Sequence, residues 1–298
     1  MQLDTKIVSL NLRPVKTFKA APADSLLEVG ACSHPGRVRE NNEDSFLIAR
    51  EMNLFLLSDG MGGLACGEIA SRMTVDTILE CCRQSAGDAA PSSIGMRAGG
   101  VGHTSQHLAH AVRLANQIVH RTARENAMPQ AMGATIVAVH CVDERLTIAH
   151  VGDSRAYRLR NGELQQLTQD HSFIAEQLRI GQIHEAEAGS SNLRHMLTRA
   201  VGIEPEVEVE ITEELLLEGD TLLLCSDGLT RDLSDRQIAL VLGDSEDVQQ
   251  SADQLVNLAN EAGGGDNITA IVLRRIAKSS RVFSKISRMG RWFGGLRS

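Results

Sequence analysis

The sequence predicts an α+β sandwich in which mainly antiparallel strands pack against pairs of helices. Short apolar runs of strand length occur in consecutive groups, and pairs of helical segments separate these groups. Asn161-Gly162 lies between two such runs, and because both residue types tolerate positive φ the pair predicts a tight hairpin turn. Runs of strands punctuated by helix pairs favour this fold class over a βαβ repeat.

The first half of the core combines three short strands with two helices. The strands are apolar, are bounded by glycine, asparagine or aspartate, and are predicted at residues 26–31, 45–49 and 54–58. Apolar residues at helical spacing predict one helix over 67–84 and a second over about 105–127. Between the helices, the composition of residues 85–104 is typical of a loop.

Four adjacent strands open the second half and favour antiparallel pairing; they are predicted at 134–142, 145–151, 155–160 and 163–168. Residues 206–211 alternate between glutamate and apolar residues, which places Val207, Val209 and Ile211 towards the core and the glutamates in water. The remaining core elements are strands at 220–226 and 267–276 and helices near 234–242 and 246–262.

Three segments lie outside the predicted sandwich. Residues 1–25 are interpreted as an N-terminal extension or an added edge strand, which leaves 26–276 as the core domain. Residues 171–202, here called the flap segment, combine a helix with polar, serine-rich sequence and are a candidate mobile subdomain over a site. In the tail, residues 277–298, apolar and basic residues fall on opposite sides of a helix. Such a helix could dock on anionic lipid or in a groove of a partner protein, and a disordered basic tail is the alternative.

The distribution of charge argues against nucleic acid as a substrate. The net charge is −8, and the tail carries six basic residues and no acidic one, so the rest of the chain is more acidic still. The six cysteines form no C-x-x-C pair, which predicts reduced and mostly buried thiols in a cytoplasmic protein. No apolar run is long enough for a membrane span, and the N-terminus has no apolar signal region.

Five acidic residues indicate a metal site. They lie where strands end or glycines allow tight turns, in the strings NNEDS, LFLLSDGMGG, AHVGDSRAY, LLLCSDGL and GGGDNITAIV, and are Glu43, Asp59, Asp153, Asp227 and Asp266. An isolated Asp-Gly pair is more often a turn than a metal ligand. Asp59 and Asp227, however, each follow an uninterrupted apolar strand, and acids that emerge from a buried strand need a cation or hydrogen-bond donors. Carboxylate oxygens suit Mn²⁺ and Mg²⁺, and two such ions can activate water for attack on a phosphoryl group.

The ordered strings VRENNEDS, SDGMGG, GAT, VGDSRAY, LTRAVG, SDGL and GGDN resemble the metal-dependent protein serine/threonine phosphatases of the PPM or PP2C family in their bacterial form. The resemblance covers about residues 26–276. It implies a four-layer αββα sandwich of two mainly antiparallel sheets flanked by helix pairs, and hydrolysis of phosphoserine and phosphothreonine at a centre of two Mn²⁺ or Mg²⁺ ions. It also implies phosphoprotein substrates, an opposing bacterial Ser/Thr kinase, and a monomer in the cytoplasm, with inner-membrane contact if the tail binds lipid.

The resemblance implies a role for each acid of the two-ion centre. Asp59 corresponds to the acid that bridges the two ions. The Gly60 carbonyl and Glu43 correspond to ligands of one ion, here called metal two. Asp227 and Asp266 complete the other, metal one.

Further residues match the family's substrate and outer-shell positions. Asp153 corresponds to an acid that, with Asp227, holds a third and weaker ion in bacterial members, and Asp44 to an acid that orders metal-bound water. Arg39 corresponds to the arginine that grips the substrate phosphate, a role that suits the planar guanidinium fork. Asn267 is expected either to orient Asp266 or to cap the turn. Arg155 is expected to anchor the Asp153 loop rather than to touch substrate.

One departure from the animal members concerns the proton for the leaving group. Met61 stands where those members carry a histidine, and methionine cannot donate a proton, although bacterial relatives share the methionine. A metal-bound water or another group must then act as the acid. His34, His171 and His195 are candidates, each with a structural role as the alternative. Two other functions stay open: a non-catalytic relative that binds phosphoproteins, and hydrolysis of a small phosphoester.

Overall fold

Two five-stranded antiparallel sheets form the centre of the molecule. The structure is a computed structural model, and it describes residues 26–62, 66–88, 102–125, 132–184 and 196–276. The predicted N-terminal extension, the tail, His195 and the middle of the flap segment lie outside the described residues.

The strands of the described chain are β1 (Leu27–His34), β2 (Ser45–Ala49), β3 (Leu54–Ser58), β4 (Gly60–Met61), β5 (Gly133–Ala134), β6 (Ile136–Val142), β7 (Arg145–Val151), β8 (Arg155–Arg160), β9 (Glu163–Gln166), β10 (Glu210–Leu215), β11 (Thr221–Cys225) and β12 (Ile268–Arg275). The helices are α1 (Cys66–Asp88), α2 (His103–Glu125), α3 (Phe173–Arg179), α4 (Asp227–Asp232), α5 (Asp235–Asp244) and α6 (Val248–Ala262).

All pairings within the two large sheets are antiparallel, as the sequence predicts. One sheet has the order β1-β12-β11-β8-β9, and the other has the order β10-β7-β6-β3-β2. The hairpin between β8 and β9 turns at Asn161 and Gly162, whose φ angles are 53° and 83°. The predicted positive φ at both turn positions is therefore confirmed.

The four-layer sandwich is also confirmed. One apolar cluster, including Phe55, Ile148 and Leu224, lies between the two sheets. A second packs α1 and α2 on the outer face of the β3-containing sheet, and a third packs α4, α5 and α6 on the outer face of the other sheet. Because both faces of the central strands are covered, all five residues of β3 and of β11 are buried.

Several features differ from the sequence prediction, among them the start of β10 and the helix α4. Strand β10 begins at Glu210 rather than near residue 206. Its ladder with β7 pairs Glu210 with His150, and β7 ends at Val151, just before a turn at Gly152 with φ 107°. Residues 206–208 therefore lie outside the ladder. The short helix α4 was not predicted, because six residues are too few to show a helical period.

All six cysteines are free thiols, of which Cys66, Cys141 and Cys225 are buried. In the described part of the chain, no helix combines the length and the apolar character needed to cross a bilayer.

Candidate metal centre

All five acids singled out from the sequence line one cavity. The cavity has a volume of about 1180 Å³, and its lining includes Glu43, Asp59, Asp153, Asp227 and Asp266 together with Arg39 and Gly60. The convergence on which the predicted metal site depends is therefore present.

The acids come from the ends of strands in both large sheets. Asp59 follows β3 and Asp153 follows β7, whereas Asp227 follows β11 and Asp266 precedes β12. Thr135 fixes the first of these positions: the Asp59 N–H donates to Thr135 Oγ1 at 3.0 Å, and the Thr135 N–H donates to the Asp59 carbonyl at 2.8 Å. The two sheets thus deliver carboxylates to a single edge of the sandwich.

Glycines next to the acids allow backbone segments to approach one another closely. A Cβ added at Gly60 would lie 2.1 Å from the Gly67 carbonyl oxygen, and one added at Gly228 would lie 2.1 Å from the Asn267 carbonyl oxygen. A Cβ at Gly67 would lie 2.4 Å from Glu43 Oε2. Any side chain at these positions would push the acid-bearing segments apart.

Asn267 ties the loop that carries Glu43 to the strand that carries Asp266. Its side chain is buried, accepts from the Glu43 N–H at 2.7 Å, and donates from Nδ2 to the carbonyls of Pro35 (3.0 Å) and Asn41 (2.9 Å). Its backbone N–H donates to Asp266 Oδ1 at 3.0 Å. It therefore orients Asp266 through its backbone and the Glu43 loop through its amide.

Asp44 supplies the observation that tests whether a cation fits. Its Oδ2 accepts from Ser226 Oγ at 2.9 Å and from Thr269 Oγ1 at 2.6 Å. Its Oδ1 is buried and has no hydrogen-bond partner among the described residues. A buried carboxylate oxygen without a donor is costly, so an ordered water or an ion is expected beside it.

The raised pKa values of the acids also indicate that a cation fits the cavity. Burial raises the pKa of Asp59 well above its usual range, and Asp44 and Asp227 add to that rise. Burial, with Asp227 next, raises the pKa of Asp153 to about 7, and burial is also the main cause that raises the pKa of Asp44 to about 7. Divalent cations would remove this mutual repulsion, and the all-oxygen donor set suits Mg²⁺ or Mn²⁺.

Two arginines contact Asp266 or Asp227, the acids that the resemblance assigns to metal one. Arg39 contacts both oxygens of Asp266, with Nε–Oδ1 at 3.0 Å and Nη2–Oδ2 at 3.1 Å. Arg231, which the sequence analysis missed, contacts Asp227 Oδ2 at 2.6 Å and Asp266 Oδ2 at 2.9 Å. Its position four residues after Asp227 was the available signal, but it is informative only once α4 is known to be a helix.

Arg155 has the structural role expected of it. Its guanidinium donates to both oxygens of Asp170, with the shortest contact at 2.7 Å, and to the Tyr157 hydroxyl at 2.8 Å. It is absent from the cavity lining. The segment around Asp153 is thereby held by a half-buried ion pair.

The two candidate histidines that the structure describes, His34 and His171, lie outside the cavity lining. His171 is buried, and its Nδ1 accepts from the Gly152 N–H at 3.1 Å, while His34 Nδ1 accepts from the Gly36 N–H at 3.0 Å. No histidine lines the cavity among the described residues. These two contacts favour structural roles for both side chains.

The ends of the flap segment are attached to the core beside the cavity. The His171 N–H donates to the Gly152 carbonyl at 2.9 Å, and Val201 forms a bridge with Ala134 of β5. Leu197, Thr198 and Arg199 line the cavity, so the described end of the segment forms one of its walls.

A two-sheet sandwich with converging carboxylates and an arginine at their rim suits a metal-centred phosphatase. The family described as protein phosphatase 2C matches residues 35–272. The serine/threonine phosphatase stp of Listeria monocytogenes is 33% identical over 243 residues, which is 80% of this chain and 92% of that protein. This chain belongs to the protein phosphatase 2C family.

Solved structures of related proteins are similar in fold to this chain over most of its length. The crystal structure of the serine/threonine phosphatase PstP/Ppp of Mycobacterium tuberculosis is similar with a TM-score of 0.74 at 36% identity, covering 84% of this chain and 99% of that one. A structure of the catalytic domain of PstP in complex with two manganese ions has a TM-score of 0.71 at 34% identity, with 84% and 99% covered.

Proposed function

We propose that this chain is a metal-dependent protein phosphatase that hydrolyses phosphoserine and phosphothreonine in proteins. The observation that carries the proposal is the convergence of Glu43, Asp59, Asp227 and Asp266 in one cavity beside Arg39. Related bacterial proteins named serine/threonine phosphatases support the substrate class.

The residues fall into two ligand sets that share Asp59. Glu43 and the Gly60 carbonyl would hold metal two, Asp227 and Asp266 would hold metal one, and Asp59 would contact both. When bound, Mn²⁺ or Mg²⁺ ions supply Lewis-acid activation of water and neutralise charge on the phosphate. The two manganese ions of the PstP structure support this number of ions. A third, weaker ion between Asp153 and Asp227 is part of the proposal.

Side chains around the ions would bind and orient the reactants. Arg39 is 55% exposed at the cavity and can offer a planar pair of donors to phosphate oxygens. Asp44 has one oxygen that takes no hydrogen bond from the described protein, so it can accept one from an ordered water. Asn267 accepts from the Glu43 N–H and would hold the backbone of that acid in place.

The biological setting is part of the same proposal. A Ser/Thr kinase would supply the phosphoprotein substrates, and the enzyme would act as a monomer in the cytoplasm. The tail would contact a membrane surface at the inner membrane or a partner protein. These statements rest on the family resemblance and on the charge pattern of the tail.

Hydrolysis of p-nitrophenyl phosphate and of a phosphothreonine peptide tests the proposal. Both activities should require Mn²⁺ or Mg²⁺, should vanish with EDTA, and should be lost in Asp59→Asn and Asp227→Asn. A metal-independent activity, or full activity in these variants, would reject the assigned centre. A protein that binds no divalent ion by calorimetry would instead be the non-catalytic alternative. Faster turnover of a nucleotide monophosphate than of the phosphopeptide would favour the small phosphoester.

A further inference from the structure

Arg231 is a cation built into the edge of the metal centre. Its two terminal nitrogens divide between the acids assigned to metal one, with Nη2 on Asp227 Oδ2 at 2.6 Å and Nη1 on Asp266 Oδ2 at 2.9 Å. The side chain is 25% exposed and lines the same cavity as the acids. It therefore faces the site rather than bulk solvent.

Arg231 and Arg39 are close enough to act on one ligand. The Nη1 of Arg231 lies 2.9 Å, and the Nη2 of Arg39 3.1 Å, from the same oxygen, Asp266 Oδ2. These two nitrogens are therefore no more than about 6 Å apart. A phosphate whose oxygens each accept a hydrogen bond of about 2.8 Å fits between donors at that separation.

Charge balance indicates when the arginines would change partner. In the structure, the two guanidinium groups neutralise Asp227 and Asp266. If a divalent ion binds these acids, both guanidinium groups lie beside a cation and lose much of the negative charge that holds them. A phosphate dianion is the ligand that would restore the balance.

From this geometry, and resting on the proposed function, we propose that Arg231 is a second phosphate-binding residue that acts with Arg39 when the ions are bound, and that its contacts with Asp227 and Asp266 compete with metal binding. Arg231 would therefore weaken the binding of metal one and strengthen the binding of phosphate. Arg231 competes with metal one for its acids, and it strengthens the binding of phosphate once the ion is in place. By linkage, phosphate should remove part of the competition.

The test is Arg231→Gln, measured in two ways. Titration calorimetry with Mn²⁺, in the absence of phosphate, should show metal binding about tenfold tighter than in the wild type, because the competing charge is gone. Competitive inhibition of p-nitrophenyl phosphate hydrolysis by inorganic phosphate should become about tenfold weaker, because one guanidinium contact is lost. Arg231→Lys keeps the charge but loses the fork, so it should bind Mn²⁺ as the wild type does and give intermediate inhibition.

Arg236 provides the matched control, since it is an exposed arginine on α5 outside the cavity lining. Arg236→Gln removes the same charge and should change neither measurement. Unchanged phosphate inhibition in Arg231→Gln would overturn the inference, and so would a parallel loss of both affinities, which would indicate a merely structural role. Failure of the wild type to bind Mn²⁺ or to hydrolyse the substrate would overturn the proposed function as well.

Discussion

The Glu43 N–H donates to the side-chain oxygen of Asn267 at 2.7 Å, so the residue that follows Asp266 fixes the backbone of Glu43. Asn267 also donates to two carbonyls of the same loop. We expect Asn267→Ala to weaken Mn²⁺ binding about 10- to 100-fold, as loss of outer-shell support does at other metal sites. Calorimetric titration with Mn²⁺ measures the effect.

Asn116 offers a buried amide as the control for Asn267. It accepts from the Gly202 N–H at 2.7 Å and donates to the carbonyl of Glu204 at 3.0 Å, without contacting a proposed ligand. Asn116→Ala should lower the free energy of unfolding by about 1–3 kcal/mol and leave Mn²⁺ affinity unchanged. Equal losses of Mn²⁺ affinity in both variants would show that general destabilisation is the cause.

Gly67→Ala is expected to disturb metal two specifically. The new Cβ would lie 2.4 Å from Glu43 Oε2 and 2.8 Å from the Gly60 carbonyl carbon, so two proposed ligands of that ion must move. We expect the Mn²⁺ affinity of one ion to fall about tenfold or more. Gly243→Ala is the control, because the nearest atom to its Cβ would lie at 3.8 Å. Wild-type Mn²⁺ binding in Gly67→Ala would place Glu43 outside the site.

The stability of the metal-free protein should fall as pH rises through the range of about 4 to 7. Burial raises the pKa of Asp44 and of Asp153 from 3.8 to about 7 in the folded state. In this window the folded protein holds protons that the unfolded chain releases, so unfolding becomes easier with increasing pH. Each group contributes on the order of 1 kcal/mol per pH unit.

Thermal unfolding in EDTA across this pH range measures that slope. Saturating Mn²⁺ should remove or reverse it, because metal binding requires deprotonated ligands and strengthens with pH. Asp153→Asn should reduce the slope in EDTA, since one of the titrating groups is gone. A melting temperature in EDTA that increases between pH 5 and pH 7 would contradict the electrostatic account.

Local sequence was sufficient for most of the strands. The bounds of β2, β3, β7 and β8 match the prediction to the residue, because each is an apolar or alternating run closed by turn-forming residues. The start of β10 was wrong, since its ladder is limited by the turn at Gly152 in a distant segment. Strand pairing of this kind depends on the partner and not on the strand's own residues.

The residues of the candidate site could likewise be predicted only in part from the sequence. The acids could be singled out because each lies beside glycine or asparagine, or at the end of an apolar run, and the family resemblance gave each a role that remains a prediction. Arg231 could not be singled out from the sequence, because its contact with Asp266 spans 35 residues and exists only in the folded chain. The contact of Asn267 with Glu43 spans 224 residues. Contacts made by folding therefore account for what the sequence analysis missed.

Anomalous diffraction from crystals soaked in Mn²⁺ tests the central claim most directly. We expect two strong peaks in the cavity, one within ligand distance of Glu43 and the Gly60 carbonyl, the other within ligand distance of Asp227 and Asp266, with Asp59 contacting both. A single peak that Asp59 does not touch, or peaks confined to residues outside the cavity, would contradict the account.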